Sequence, residues 1–313
     1  MSLVTILGNT NSGSGAIYEY LIGRKDTIDP VKKLEFRLLS DPGGINDLYN
    51  IYNNYSLQNF NFRLNNLIEI EKTYSKKRTF FSEGLNLSII NNYTNYWNEY
   101  LTNIKGFKYK HRYIFDDIKK SKFKIIIKRI ISRLSYRNIL FKDYWTGVTK
   151  REFEIYTHDF FKKIFLTDGK QKLVVLNQCG NFWDPIESTK LIGEPKIIMV
   201  TRNPLDQFAE LKKWKHMHSP KQFINWFIHL KKMESTHENI DERILKLKFE
   251  DFVLDHENSK TKICKHLSID YKIKSDYDVM KSRKNIGQYI NILTNEEIEL
   301  IKTSLKISND LPQ

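Results

Sequence analysis

Residues 3–21 read LVTILGNTNSGSGAIYEYL: a short apolar run, a glycine-rich turn and the start of a helix, with nothing between them. Val4, Ile6 and Leu7 supply the apolar run of an interior strand. Gly8, Gly13 and Gly15 let the backbone curl, and Ala16, Ile17, Tyr20 and Leu21 resume at helical spacing. Such a turn aims several amide N–H groups at one point, and a helix N-terminus adds a favourable dipole there. It can hold a phosphate without a positive side chain; the plain alternative is a tight connection that binds nothing. The spacing from Gly8 to Gly13 is that of a nucleotide P-loop, but Ser14 and Gly15 stand where Lys and Ser/Thr are needed. Without the phosphate-holding lysine and the magnesium-holding hydroxyl, ordinary ATP or GTP hydrolysis is disfavoured.

Outward from this turn, the second half of the chain repeats the strand-then-helix order. Residues 172–177 (KLVVLN) and 196–201 (KIIMVT) are apolar, β-branched strands joined through a short helix at 185–191, which implies a parallel crossover. Ligands in open parallel sheets bind beyond the carboxyl ends of the strands, where Gly8, Asn177 and Arg202 would all emerge. In residues 200–211 (VTRNPLDQFAEL), Pro204 suits the first turn of a helix and Asp206 suits its dipole. An arginine fixed at that strand end can make bidentate contacts with a phosphate, unless it serves as a structural partner of Asp206. Further strands are expected at 34–39 (LEFRLL) and 244–249 (ILKLKF), helices at 220–234 and 256–267, and a capping box at Thr294 and Glu297. Glu35 and Arg37 share one face of the 34–39 strand, as candidates for proton transfer and anion binding. The basic turn 281–289 (KSRKNIGQY) has the makings of an anion-binding loop.

From residue 45 to 165 the chain reads mainly as helices, at 45–53, 57–74, 87–101 and 150–165, with a basic amphipathic segment between 105 and 137. There Lys119, Lys120, Lys122, Lys124, Lys128, Arg129, Arg133 and Arg137 face only Asp116 and Asp117. The segment contributes much of the net charge of +14. That charge attracts an anionic acceptor or an anionic surface, or is simply a solvated face. No zinc finger, helix-turn-helix or RNP signature points to nucleic acid. The chain's 313 residues predict a single α/β domain carrying a long helical excursion that covers one sheet edge and builds the acceptor side. Cys179 and Cys264 are far apart and lack nearby histidines at ligand spacing, so neither a disulfide framework nor a zinc site is expected. With no apolar run of 18 residues and a strand at the very start, a soluble cytoplasmic protein is expected. Oligomeric state is left open.

In order and spacing, NSGSGAIYEYL, VTRNPLDQFAEL, KFEDFV and SRKNIGQY resemble the sulfotransferase family, with LEFRLLSDPGG and LNQCGNF similar to elements of a bacterial branch. The resemblance covers most of the chain. It implies a P-loop-like three-layer fold around a central parallel sheet. The donor it implies is 3′-phosphoadenosine 5′-phosphosulfate (PAPS), giving the product PAP, with no metal. By position, Asn9, Thr10, Asn11, Ser12, Gly13, Ser14, Gly15 and Ala16 would hold the 5′-phosphate. Arg202 would hold the 3′-phosphate, and Arg283, Lys284 and the backbone to Gly287 would close over it. Glu35 would be the general base, ahead of His111, Asp41 or Glu83. Asn11 stands where many members have a cation, and Glu210 where a serine usually follows the arginine. An acid there repels the 3′-phosphate unless it points away, so either another cation (Lys33, Arg37 or Lys212) compensates or activity is weak or absent. The expected activity is sulfuryl transfer to a hydroxyl or amine of a carbohydrate or other small acceptor. Alternatives are a catalytically silent PAP- or glycan-binding protein and an atypical P-loop nucleotide kinase.

Overall fold

The computed structural model describes residues 2–76, 87–111, 113, 126–127, 130, 141–165, 172–236 and 241–306. Seven strands occur among them: β1 (Leu3–Gly8), β2 (Thr27–Ile28), β3 (Lys108–His111), β4 (Lys142–Trp145), β5 (Leu173–Asn177), β6 (Lys196–Thr201) and β7 (Ile244–Lys248). The chain divides into two compact units, residues 1–37 with 165–313, and residues 38–164.

The first unit is built on a five-stranded sheet of order β2-β5-β1-β6-β7, parallel at every pairing. This is the expected α/β class with a central parallel sheet. β1 lies in the middle, and its residues Leu3, Val4, Thr5, Ile6 and Leu7 are buried, as expected of a strand covered on both faces. Val4 and Ile6 meet Val175, Ile198 and Val200 on one face, under Ile17 and Leu21 of helix Ser14–Ile22 and Phe252 and Ile263 of the helices after β7. Leu7, Ile197 and Met199 pack on the other face against Phe182, Trp183 and Ile186. Helix Pro204–Lys213 begins with Pro204 in its first turn and Asn203 as its cap, and packs through Phe208 onto Phe223. The capping box of helix Asn295–Leu305 is made in both directions between Thr294 and Glu297.

The expected strand at 34–39 is corrected. Glu35 makes a single parallel bridge to Asn177, and the Phe36 N–H donates to the Asn177 carbonyl at 3.0 Å. β5 ends at Asn177, so the segment arrives where the ladder has no further partner. Lys32 and Lys33 just before it are in left-handed conformations, with φ of 51° and 70°, which cannot continue an extended run. The edge position is taken instead by β2, two residues long and too short to show an alternating pattern. Phe36 meets Phe165 edge-on at 5.1 Å between ring centroids.

In the second unit, helices Leu57–Ser75 and Lys150–Phe165 lie where the apolar spacing places them. The expected helix at 87–101 starts late, at Tyr93, because Asn92 adopts a left-handed φ of 58° and confines residues 87–89 to one tight turn. β3 and β4 form an antiparallel pair, with Tyr109 opposite Tyr144, inside or beside a stretch expected to be helical. Asn61 fixes that pair by a doubled amide contact with the Trp145 backbone, donating to its carbonyl at 2.8 Å and accepting its N–H at 2.9 Å. The core is aromatic: Tyr100 stacks on Phe160 at 4.8 Å, and its hydroxyl pairs with that of Thr157 at 3.1 Å. Most of the basic segment, including all eight cations singled out from the sequence, lies outside the described residues, as does Glu83. No helix among the described residues is long and apolar enough to cross a membrane.

Candidate functional site

Three loops meet at the carboxyl edge of the first unit's sheet. The first is the turn between β1 and helix Ser14–Ile22. Its curl comes from left-handed backbone at Asn11 (φ 56°) and Gly13 (φ 82°), with the Ser12 N–H donating to the Asn9 carbonyl at 3.0 Å. Gly13 is required twice over, since a Cβ there would also sit 2.4 Å from the Phe249 ring. At Gly8 the need is close approach: a Cβ would lie 1.9 Å from Ser12 Oγ. The first-turn N–H groups of the helix, at Ser14 and Gly15, have no carbonyl one turn back within it.

Two glutamines hold this turn from either side, and neither was singled out from the sequence. Gln178, at φ 53° just past β5, accepts the Gly8 N–H at 3.3 Å and donates to Ser14 Oγ at 3.1 Å. Gln207, buried on helix Pro204–Lys213, donates to Asn9 Oδ1 at 2.9 Å and to the Thr10 carbonyl. For Gln207 the available signal was the set of polar residues Asp206, Gln207 and Glu210 on one side of a helix that is otherwise apolar up to its closing Lys212 and Lys213. Within the turn, the buried Ser12 Oγ and Asn11 Nδ2 have no protein partner.

The second element is Arg202, directly after β6, whose side chain is 3% exposed. Its Nη1 donates to the Asn11 carbonyl at 3.1 Å and to Glu210 Oε2, and its Nη2 donates to the Asn285 carbonyl at 2.7 Å. The guanidinium also lies 5.0 Å from the centroid of the Phe249 ring. Its acidic partner is therefore Glu210 rather than Asp206. Glu210 thus points at the guanidinium and not away from it: the two residues stand two turns apart along one chain segment, and a buried guanidinium needs a counter-charge.

The third element is the late basic loop. Asp206 pins it by accepting the N–H of Gly287 at 2.8 Å and of Tyr289 at 3.1 Å. Burial pushes the Asp206 carboxyl above its ordinary range against the pull of those two bonds and of Arg202. Glu250 is likewise pushed up by burial and accepts the Asn203 N–H at 2.8 Å. Arg283 and Lys284 are exposed and form no ion pair among the described residues.

The remaining sequence-predicted residues are placed as follows. Thr10 and Gly15 are exposed on the turn, and the Ala16 N–H donates to the Gly13 carbonyl at 3.0 Å. Glu35 lies at the end of β5 beside Asn177, one strand over from the turn, and accepts from Arg37 at 3.2 Å. Lys212, offered as a compensating cation, is committed to both Glu297 oxygens at 2.7 Å. His111 and Asp41 belong to the second unit, Asp41 bonded to Tyr74. Cys179 and Cys264 are both buried thiols. No group of three metal-ligating side chains occurs among the described residues.

The fit to a bisphosphorylated nucleotide divides in two. The 5′-phosphate end fits, because a curled backbone, a helix start and two buried polar atoms lacking partners converge there. The 3′-phosphate end fits less well: the Arg202 guanidinium is buried, its terminal nitrogens already bond to Asn11, Glu210 and Asn285, the Glu210 carboxylate lies against it, and only the buried Nε lacks a protein partner among the described residues.

No protein-family model matches the chain, and no curated protein does. Solved structures similar to it include two sulfotransferases. One is a sulfotransferase from Alicyclobacillus acidocaldarius, 11% identical, covering 98% of this chain and 97% of that one, with a TM-score of 0.39. The other is sulfotransferase STF9 from Mycobacterium avium, also 11% identical, covering 100% of this chain and 78% of that one, with a TM-score of 0.39.

Proposed function

We propose that the chain is a sulfotransferase, taking a nucleotide 5′-phosphosulfate donor at the turn of residues 9–16 and acting on a hydroxyl or amine of a carbohydrate or other small acceptor, an anionic one included. The observation that supports this reading is the meeting of three separate sequence motifs at Arg202, which bonds to Asn11, Glu210 and Asn285 at once. The donor, when bound, supplies an SO₃-like group attached to a phosphate leaving group. The chain supplies position and charge, which dominate transfers of this kind. The turn fixes a phosphate by its N–H groups, and the helix dipole favours the negative charge left on it. Glu35 receives the acceptor's proton on Oε1, since Oε2 already accepts from Arg37.

Sulfuryl transfer from ³⁵S-labelled nucleotide phosphosulfates to a panel of sugars and phenols tests the reading, alongside calorimetric nucleotide binding without magnesium. Glu35→Gln is expected to lower kcat by about 10²–10⁴-fold, the range of general-base contributions, with nucleotide affinity unchanged. Full turnover by that variant would remove Glu35 from the role. A second reading, a catalytically silent nucleotide- or glycan-binding protein, is favoured by Asn11 standing where a leaving-group cation is expected. Nucleotide binding with no transfer to any acceptor would select it, and binding only of ATP with magnesium would select a kinase.

A further inference from the structure

We infer that the nucleotide of this site carries a free 3′-hydroxyl rather than a 3′-phosphate, and that Glu210, paired with Arg202, sets that choice. The inference rests on the nucleotide-binding reading of the turn and concerns the end of the ligand opposite its 5′-phosphate.

Arg202 is the buried cation at the junction of the three loops; both its terminal nitrogens are engaged, and its Nε, which has no protein partner among the described residues, is itself buried. Nη1 serves the Asn11 carbonyl and Glu210, and Nη2 serves the Asn285 carbonyl. A phosphate arriving there would have to displace a carboxylate from a guanidinium only 3% exposed, and then lie beside that carboxylate. The surrounding charge makes this worse. Besides Glu210, the field of Arg202 acts on Asp206 and Glu250, so three carboxyl groups share one guanidinium. Of the cations offered as compensation, Lys212 is held by both Glu297 oxygens at 2.7 Å and Arg37 bonds to Glu35 at 3.2 Å.

What opposes a phosphate suits a hydroxyl. Glu210 is 28% exposed and meets Arg202 through Oε2, leaving Oε1 without a partner among the described residues. A carboxylate oxygen can accept only, and a ribose hydroxyl is the donor that fits it. Acidic residues select unphosphorylated ribose in dinucleotide sites by this same chemistry, and arginines select the phosphorylated form. Here an arginine is present, but its charge is answered from within the protein.

The experiment is calorimetric titration of the full chain with adenosine 5′-monophosphate and with adenosine 3′,5′-bisphosphate, repeated on Glu210→Gln and Glu210→Ser. Glu210→Gln keeps an oxygen for Arg202 while removing the charge, so a folded variant is available even if serine leaves the arginine unsatisfied. Wild type is expected to bind the monophosphate at least tenfold tighter, and Glu210→Gln to shift the ratio at least tenfold toward the bisphosphate. Equal or tighter binding of the bisphosphate by wild type overturns the inference while leaving the nucleotide site intact. A monophosphate preference unchanged in Glu210→Gln overturns the role of Glu210. Binding of neither nucleotide overturns both the inference and the reading beneath it.

Discussion

Gly8 and Gly15 are seven residues apart in one glycine-rich turn, and the structure asks different things of them. A Cβ on Gly8 would lie 1.9 Å from Ser12 Oγ and 2.9 Å from Ser14 Cβ, whereas one on Gly15 meets nothing within 4 Å. Gly8→Ala is therefore expected to force the turn open, costing about 1–3 kcal/mol of stability and at least tenfold in nucleotide affinity. Gly15→Ala, on a helix surface, is expected to stabilise by about 0.4–1 kcal/mol. Urea unfolding of the two variants separates these outcomes, and equal effects would mean the turn is not the tight cradle described. The sequence made both glycines visible but could not rank them, because the difference lies in which side chains fold back over each. The same limit applies to Glu210: its position eight residues after Arg202 was legible, but not that the helix would aim it at the guanidinium.

Among elements, those carrying a strong local signal were legible. β6 and helix His256–Leu267 fall at the residues their apolar patterns predict, and the Thr294–Glu297 box is made as its spacing requires. The failures have a common physical source. At 34–39 the alternation of apolar and charged residues is genuine, but a strand needs a partner, and β5 ends as the segment reaches it. β2 and β3 are short or exposed, held by long-range pairing that no local pattern announces. The entry to β7 shows how much a local pair can contribute where the sequence is silent. Hydrogen bonds from Arg243 hold the Asp241 carboxyl down to about 2. A carboxyl depressed when folded stabilises the fold above its ordinary value near 4 and loses that contribution as the pH falls toward 2. Asp241→Asn is thus expected to show a flatter stability profile between pH 4 and 2 than wild type, with little change in shape above pH 5. Circular dichroism across an acid titration reads the difference, and superimposable profiles would show that Asp241 and Arg243 are not paired in solution.

For the molecule as a whole, the net charge of +14 bears on encounter rather than on fold. Anionic ligands should be drawn in at long range, and salt should weaken that pull, since the screening length is about 10 Å at 0.1 M and about 3 Å at 1 M. The association rate of a nucleotide is expected to fall several-fold between 0.05 and 0.5 M sodium chloride, with its dissociation rate nearly constant. Stopped-flow fluorescence checks this, and a salt effect confined to dissociation would place the decisive charges in the contact itself. The contact of Phe36 with Phe165 bears on how the chain can be engineered. Residues 38–164 leave and re-enter the sheet-bearing unit at points whose flanking rings are only 5.1 Å apart. A gene joining residue 37 to residue 165 through a short glycine-serine bridge would lose a whole module while closing a gap the fold already keeps small. The truncated chain is expected to retain cooperative unfolding, and the parent unit could then serve as a socket into which other inserts are grafted.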